Sequence, residues 1–165
     1  MVGVAWGPLP GAGPVVVRAA TADDVPALVA LLADDPLGAG RERPEEGLAP
    51  YLRAFAAVAA DPAHLLVVAV DGDDVVGTLQ LSVLPGLSRG GASRGQIEAV
   101  RVRADRRGAG LGEALLRWAV AEARRSGCAL VQLTTDRSRS GAQRFYERLG
   151  FTASHVGYKL ALDGS

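Results

Sequence analysis

The chain has 165 residues, 48% of them hydrophobic, with 18 basic side chains against 18 acidic ones and a single cysteine. That is long and apolar enough for one domain with its own core, and it lacks the net positive field that draws a protein to nucleic acid or an anionic membrane. Cys128 alone allows neither an internal disulfide nor a cysteine metal cluster, and suits a reducing cytoplasm.

Residues 1–14, MVGVAWGPLPGAGP, have no basic start and no continuous apolar stretch, so they read as a flexible leader before a domain over 15–162, not as a signal peptide. No run approaches the ~20 apolar residues of a membrane span. VVVRAA (15–20) is a strand, and TADDVPALVALLADD opens a helix with Thr21 as cap and Val25, Leu28, Val29 and Leu32 at helical spacing. A turn with Pro36, Gly38 and Gly40 leads to a second helix over 44–61, weakened near Gly47 and Pro50. HLLVVAV and VVGTLQLSVL form a hairpin about DGDD. After a glycine-rich loop (85–95) come the strand QIEAVRVRA (96–104), a helix running to Ser126 with Gly127 as its stop, and the strand ALVQLTT. SGAQRFYERLG is a helix ended by Gly150, and FTASHVGYKLAL supplies one or two final strands. This order is mixed α/β in a single domain.

Between the strand ending at Arg103 and its following helix stand Gly108, Gly110 and Gly112. Glycines cost conformational entropy, so three at a helix start ask for a reason. The G-x-G-x-x-G dinucleotide pattern fails at Glu113, and no G-K-[ST] follows for a P-loop. What remains is R-x-x-G-x-G, met by Arg107, Gly110 and Gly112. Its backbone N–H groups gather at the positive end of the helix dipole, where a pyrophosphate binds. A tight turn without a ligand is the alternative for the glycines alone.

VRVRADRRGAGLGEALL resembles the coenzyme-A signature of the GCN5-related N-acetyltransferase (GNAT) superfamily. SGAQRFYERLGF resembles its second hallmark, A-x-x-F-Y-x-x-x-G-F, at Ala142, Phe145, Tyr146, Gly150 and Phe151. The resemblance implies a mostly antiparallel central sheet, splayed at the coenzyme site and flanked by helices. It implies acetyl-CoA as co-substrate, no metal, and direct transfer of the acetyl group to a primary amine through a tetrahedral intermediate. Val100 and Val102 would bond the pantetheine arm through their backbones. The amides of Arg107, Gly108, Ala109, Gly110, Leu111 and Gly112 would hold the pyrophosphate. Arg139 stands where many members carry asparagine, three residues before Ala142, and is either a phosphate ligand or a solvated charge.

Tyr146 matches the tyrosine that protonates the departing thiolate in this superfamily. The ammonium of the acceptor must first lose a proton, and Glu98 is the candidate base. Strict strand alternation puts it with Gln96, Val100 and Val102, opposite Ile97, Ala99, Arg101 and Arg103. Desolvation would suit Glu98 to the task. Gln96 holds the place where other branches have their glutamate, and His155 is a further titrating candidate. Arg41, Glu42, Arg43, Arg89 and Arg94 lie in the stretches that usually meet the acceptor. No acidic tract is present to receive a histone-like tail, which favours a small-molecule amine. The alternatives are an acyl-CoA-binding sensor without turnover, and a protein N-terminal or lysine acetyltransferase. Neither a nucleic acid nor a membrane is an expected partner. The family often dimerises, and the sequence leaves a homodimer open, as it does the length of the acyl group.

Overall fold

Among the described residues, six strands pair in sequence order into one sheet. The computed structural model describes residues 5–35 and 39–162; Pro36 and Gly38, assigned to a turn above, lie outside them. The elements are β1 (Ala5–Pro8), β2 (Val16–Ala19), α1 (Val25–Ala33), α2 (Ala49–Ala60), β3 (His64–Asp71), β4 (Asp74–Leu84), a kinked helical turn α3 (Ser88–Gly91), β5 (Arg94–Val102), α4 (Leu111–Arg125), β6 (Leu130–Leu133) and α5 (Ser140–Arg148). All strand neighbours are antiparallel except β5 and β6, which run parallel. No helix among the described residues is long and apolar enough to cross a membrane.

The core forms where α4 meets the sheet. Leu111, Leu115, Ala119 and Ala123 recur every four residues, and all are buried with Val67, Leu79, Leu81 and Ile97. The helix lies close because the strands offer glycine beneath it. A Cβ at Gly77 would stand 3.0 Å from Leu115 Cδ1, and one at Gly95 3.0 Å from Ala123 Cβ. On the other face α1 buries Val25, Leu28 and Val29, while α2 has no fully buried residue.

The entry to α1 is held by a charge pair. Asp24, 6% exposed, accepts hydrogen bonds from both terminal nitrogens of Arg18 at 2.7 and 2.8 Å and from the Thr21 N–H at 2.7 Å. Burial alone would raise the Asp24 carboxyl, but the bonds from Arg18 and Thr21 outweigh it and hold it below the ordinary range. A carboxyl lowered by folding adds stability above its unfolded pKa of ~3.9, and that contribution is lost as pH falls through the folded value. Asp24→Asn is therefore expected to cost about 2 kcal/mol at neutral pH. Its deficit against wild type should shrink below about pH 4. Thermal unfolding at pH 7 and pH 3 checks both statements.

Three expectations are corrected. The described part of the leader 1–14, residues 5–14, is not loose: β1 pairs with β2, Leu9 is 2% exposed, and Trp6 meets Trp118 edge-on at 5.2 Å. The large apolar side chains of this segment cover one end of the core, a tertiary contact that its Gly- and Pro-rich composition hides. The final strands are absent among the described residues, and 152–162 is exposed throughout. A strand needs a paired neighbour, which its own alternation does not supply.

The third correction concerns β5. Its register against β4 slips between Thr78 and Gln80, so Ala99 and Val100 together oppose Leu79, and Ala99 takes φ +52°. This bulge reverses the alternation. Ile97, Val100 and Val102 pack on the α4 side. Glu98 pairs with Gln80 and Arg101 with Thr78, two residues apart on a regular strand, so Glu98 shares a face with Arg101 and not with Val100 and Val102.

Candidate active site

β5 ends in a short 3-10 turn, Ala104–Arg106, from which Arg107–Gly110 enters α4. Gly108 and Gly110 adopt φ +79° and +84°, the left-handed region that disfavours other residues. Conformation, not space, requires them: a Cβ at Gly108 would meet nothing within 4 Å, and one at Gly110 only the Gly11 carbonyl at 4.0 Å. The first amides of α4, at Leu111, Gly112 and Glu113, have no intrahelical carbonyl one turn earlier to accept them. Gly112 is helical, and its Cβ would reach 3.6 Å from Phe145 Cζ and from Val102 Cγ2. Arg107 differs from the other expected amides. Its N–H donates to the Ala104 carbonyl at 3.3 Å, while its guanidinium donates to the carbonyls of Val102 (2.9 Å) and Asp34 (2.7 Å) and to the Asp34 carboxylate (2.9 Å).

A gap opens beside this turn. β5 and β6 are paired from Arg94 opposite Leu130 to Ile97 opposite Leu133 and no further, so Glu98–Val102 has no neighbour on that side. Because the Arg103 N–H donates to Val76 on β4 (3.0 Å), alternation turns the backbone groups of Val100 and Val102 into the gap. Their carbonyls accept from the side chains of Arg101 (2.9 Å) and Arg107 (2.9 Å).

Tyr146 lies on α5, half-buried, with its ring 5.5 Å from that of Phe145 and 6.1 Å from that of Phe151. Burial pushes its phenol above the ordinary value, against the opposing charges of Arg101 and Arg139. Those two arginines share a carboxylate: Asp35 pairs with Arg101 at 3.8 Å and directly with Arg139. Arg139 is thus ion-paired within the fold while its side chain stays 32% exposed. Ala142 sits in the first turn of α5, its N–H on the Arg139 carbonyl at 3.0 Å.

Glu98 is exposed on the protomer rather than desolvated. Beside it, α1, α2 and the sheet enclose a cleft of about 150 Å³ that includes Leu28, Tyr51, Phe55, Thr78, Gln80 and Ala99. Of the arginines proposed to meet an acceptor, Arg43 pairs with Glu46 at 4.0 Å, and its N–H donates to Tyr51 Oη. Gln96 Oε1 accepts from Gln132 at 2.7 Å. His155 is exposed in the C-terminal segment, its Nδ1 2.8 Å from Ser154 Oγ, and His64 Nδ1 meets Ser82 Oγ at 2.7 Å. Burial raises the Cys128 thiol, as for a packed side chain. Among the described residues no three His, Cys, Asp or Glu side chains are placed to hold a metal ion.

Sequence reading missed Asp34, Asp35 and Arg101, which strap the end of α1 to β5, the glycine turn and α5. A signal existed. Two carboxylates at a helix C-terminus oppose the helix dipole, and so demand cations from elsewhere in the fold.

The chain is similar to several known proteins. The model of the acetyltransferase (GNAT) family matches residues 26–151. The chain is 32% identical over 146 residues to the aminoalkylphosphonate N-acetyltransferase of Salmonella typhimurium, covering 88% of this chain and 90% of that protein. It is 39% identical over 88 residues to the glucosamine 6-phosphate N-acetyltransferase of Trypanosoma brucei brucei, covering 53% and 58%. A solved structure described as a transcriptional regulator from Bacillus halodurans superposes with TM-score 0.87 at 44% identity, covering 90% of this chain and 99% of that one.

Proposed function

The chain belongs to the acetyltransferase (GNAT) family, and on that footing we propose that it transfers an acetyl group from acetyl-CoA to the primary amine of a small molecule. The observation that carries this is the gap beyond Ile97 and Leu133, whose strand runs on into the left-handed glycine turn. A Gly-Ala-Gly turn and helix-start amides fit a pyrophosphate, and the strand backbone of Val100 and Val102, whose carbonyls already accept from Arg101 and Arg107, offers its N–H groups to an amide-bearing arm. Acetyl-CoA supplies the activated acetyl thioester. Glu98 takes one proton from the acceptor ammonium, and the free amine attacks the thioester carbonyl. As the C–S bond breaks, Tyr146, its phenol raised by burial, protonates the leaving sulfur and regains its proton from the second one the nitrogen loses. Leu111 and Ala142 hold the two helix starts in place. The backbone amides of Gly108 to Gly112 carry the phosphate contacts, with the Arg107 side chain closing the turn.

The small acceptor is supported by two relatives named for small amine substrates, and by the modest cleft next to Glu98. A second reading, an acyl-CoA-binding module without turnover, is favoured by the neighbour described as a transcriptional regulator. Turnover by the wild type separates them, and Glu98→Gln tests the base. The substitution is expected to lower kcat by ~10²-fold with acetyl-CoA affinity retained, as measured by thiol release and calorimetry. Unchanged turnover in the variant removes Glu98 as base.

A further inference from the structure

We infer that the acceptor is a primary amine with an uncharged, apolar tail of up to phenyl size, seated in the cleft between α1, α2 and the sheet. This specificity rests on the acetyl transfer proposed above. α2 shows why the space exists. Tyr51, Phe55 and Val58 recur on one face at helical spacing, yet all three stay half-buried and the helix has no fully buried residue. With Leu28 and Leu32 of α1 and Leu66 of β3, they wall a volume of about 150 Å³ instead of closing over it. A cavity of about that size lined by Leu, Ile and Phe takes up benzene.

The chemistry of the wall selects the tail. Among the described residues, those lining the cleft include no charged side chain. Its polar side chains are already engaged. The Thr78 hydroxyl donates to the Val67 carbonyl at 2.7 Å, the Gln80 amide donates to Ser82 Oγ at 3.4 Å, and Tyr51 Oη accepts from the Arg43 N–H at 2.9 Å. Arg101, opposite Thr78 in register, pairs with Asp35 at 3.8 Å and donates to the Val100 carbonyl at 2.9 Å. Arg41, Arg43, Arg89 and Arg94 do not line the cleft. A phosphate or carboxylate on the tail would lose its water there and gain no cation in return, which keeps such groups out. An alkyl or aryl tail gains by the same burial.

The cleft is continuous with the proposed base. Gln80, which pairs with Glu98 across the strands, and Ala99, which follows it in the chain, both line the cleft. A tail held among them leads its nitrogen toward Glu98. Two similar N-acetyltransferases are named for acceptors that bear a phosphonate and a phosphate; the wall of this cleft suits neither group.

Steady-state kcat/KM of the full chain with acetyl-CoA across a series of amines tests this, read by thiol release. From methylamine to butylamine it is expected to rise about fourfold per methylene. Phenethylamine is expected to exceed both aminomethylphosphonate and glucosamine 6-phosphate by at least ~100-fold. Phe55→Ala should shrink that preference about tenfold, with acetyl-CoA affinity as in wild type by calorimetry to show that the variant is folded. The wild-type series decides even where the variant does not fold. A flat alkyl series overturns the inference, and so does an anionic amine used as well as phenethylamine; both results leave acetyl transfer standing. Product from none of these amines overturns acetyl transfer to a small amine, and the inference with it.

Discussion

Gly110→Asp is expected to weaken acetyl-CoA binding by more than 100-fold, judged by the ~4 kcal/mol of repulsion between unit charges about 4 Å apart at an intermediate dielectric. Two costs combine. The backbone stands at φ +84°, where a residue with a Cβ loses about 1–2 kcal/mol. The new carboxylate then stands at a helix start whose amides favour negative ligands, and takes the place of the phosphate. Strain alone is separable from charge. Gly127, at φ +76° past the far end of α4, accepts the same substitution away from the cradle. Gly127→Asp should cost similar stability yet leave binding as in wild type. Isothermal calorimetry on the three proteins, with thermal unfolding alongside, reads both effects. If Gly110→Asp binds as wild type does, the glycines are only a turn.

Tyr146→Phe is expected to lower kcat by ~10²–10³-fold, the range of a lost general acid, with little change in KM. Phenylalanine keeps the ring packing against Phe145 and Phe151, so the variant isolates the hydroxyl. The pH dependence is also constrained. Because burial raises the phenol, it stays protonated and competent as an acid at every pH below its ordinary value of about 10. Loss of kcat on the alkaline side attributable to Tyr146 should therefore begin only above that value. Steady-state kinetics from pH 6 to pH 11 check this. A variant with wild-type kcat would reassign Tyr146 to packing.

The hairpin about Asp71–Asp74, the helix stops at Gly127 and Gly150, and the glycine turn were all legible in the sequence, because each depends on residues within a few positions of one another. The splayed gap was legible only through resemblance. What local reading missed depends on distance. Ala99 looks like any strand residue, and nothing in VRV announces that a bulge beside it turns Arg101 toward Glu98's face. Asp35 and Arg139 are 104 positions apart and meet only in the fold. The N-terminal segment seemed featureless because its Gly and Pro residues outnumber the two that matter, Trp6 and Leu9, which pack onto the core. The C-terminal pattern does read as a strand, but no strand forms over 152–162 among the described residues.

Acetyl transfer to a small amine is checked by incubating the wild-type chain with acetyl-CoA and a panel of small primary amines, amino acids and peptides. Thiol release is followed, and products are identified by mass. At least one small amine is expected to yield its acetamide with stoichiometric thiol release. Acetyl-CoA binding with no product on any amine, or acetylation confined to peptide termini or lysines, would contradict it.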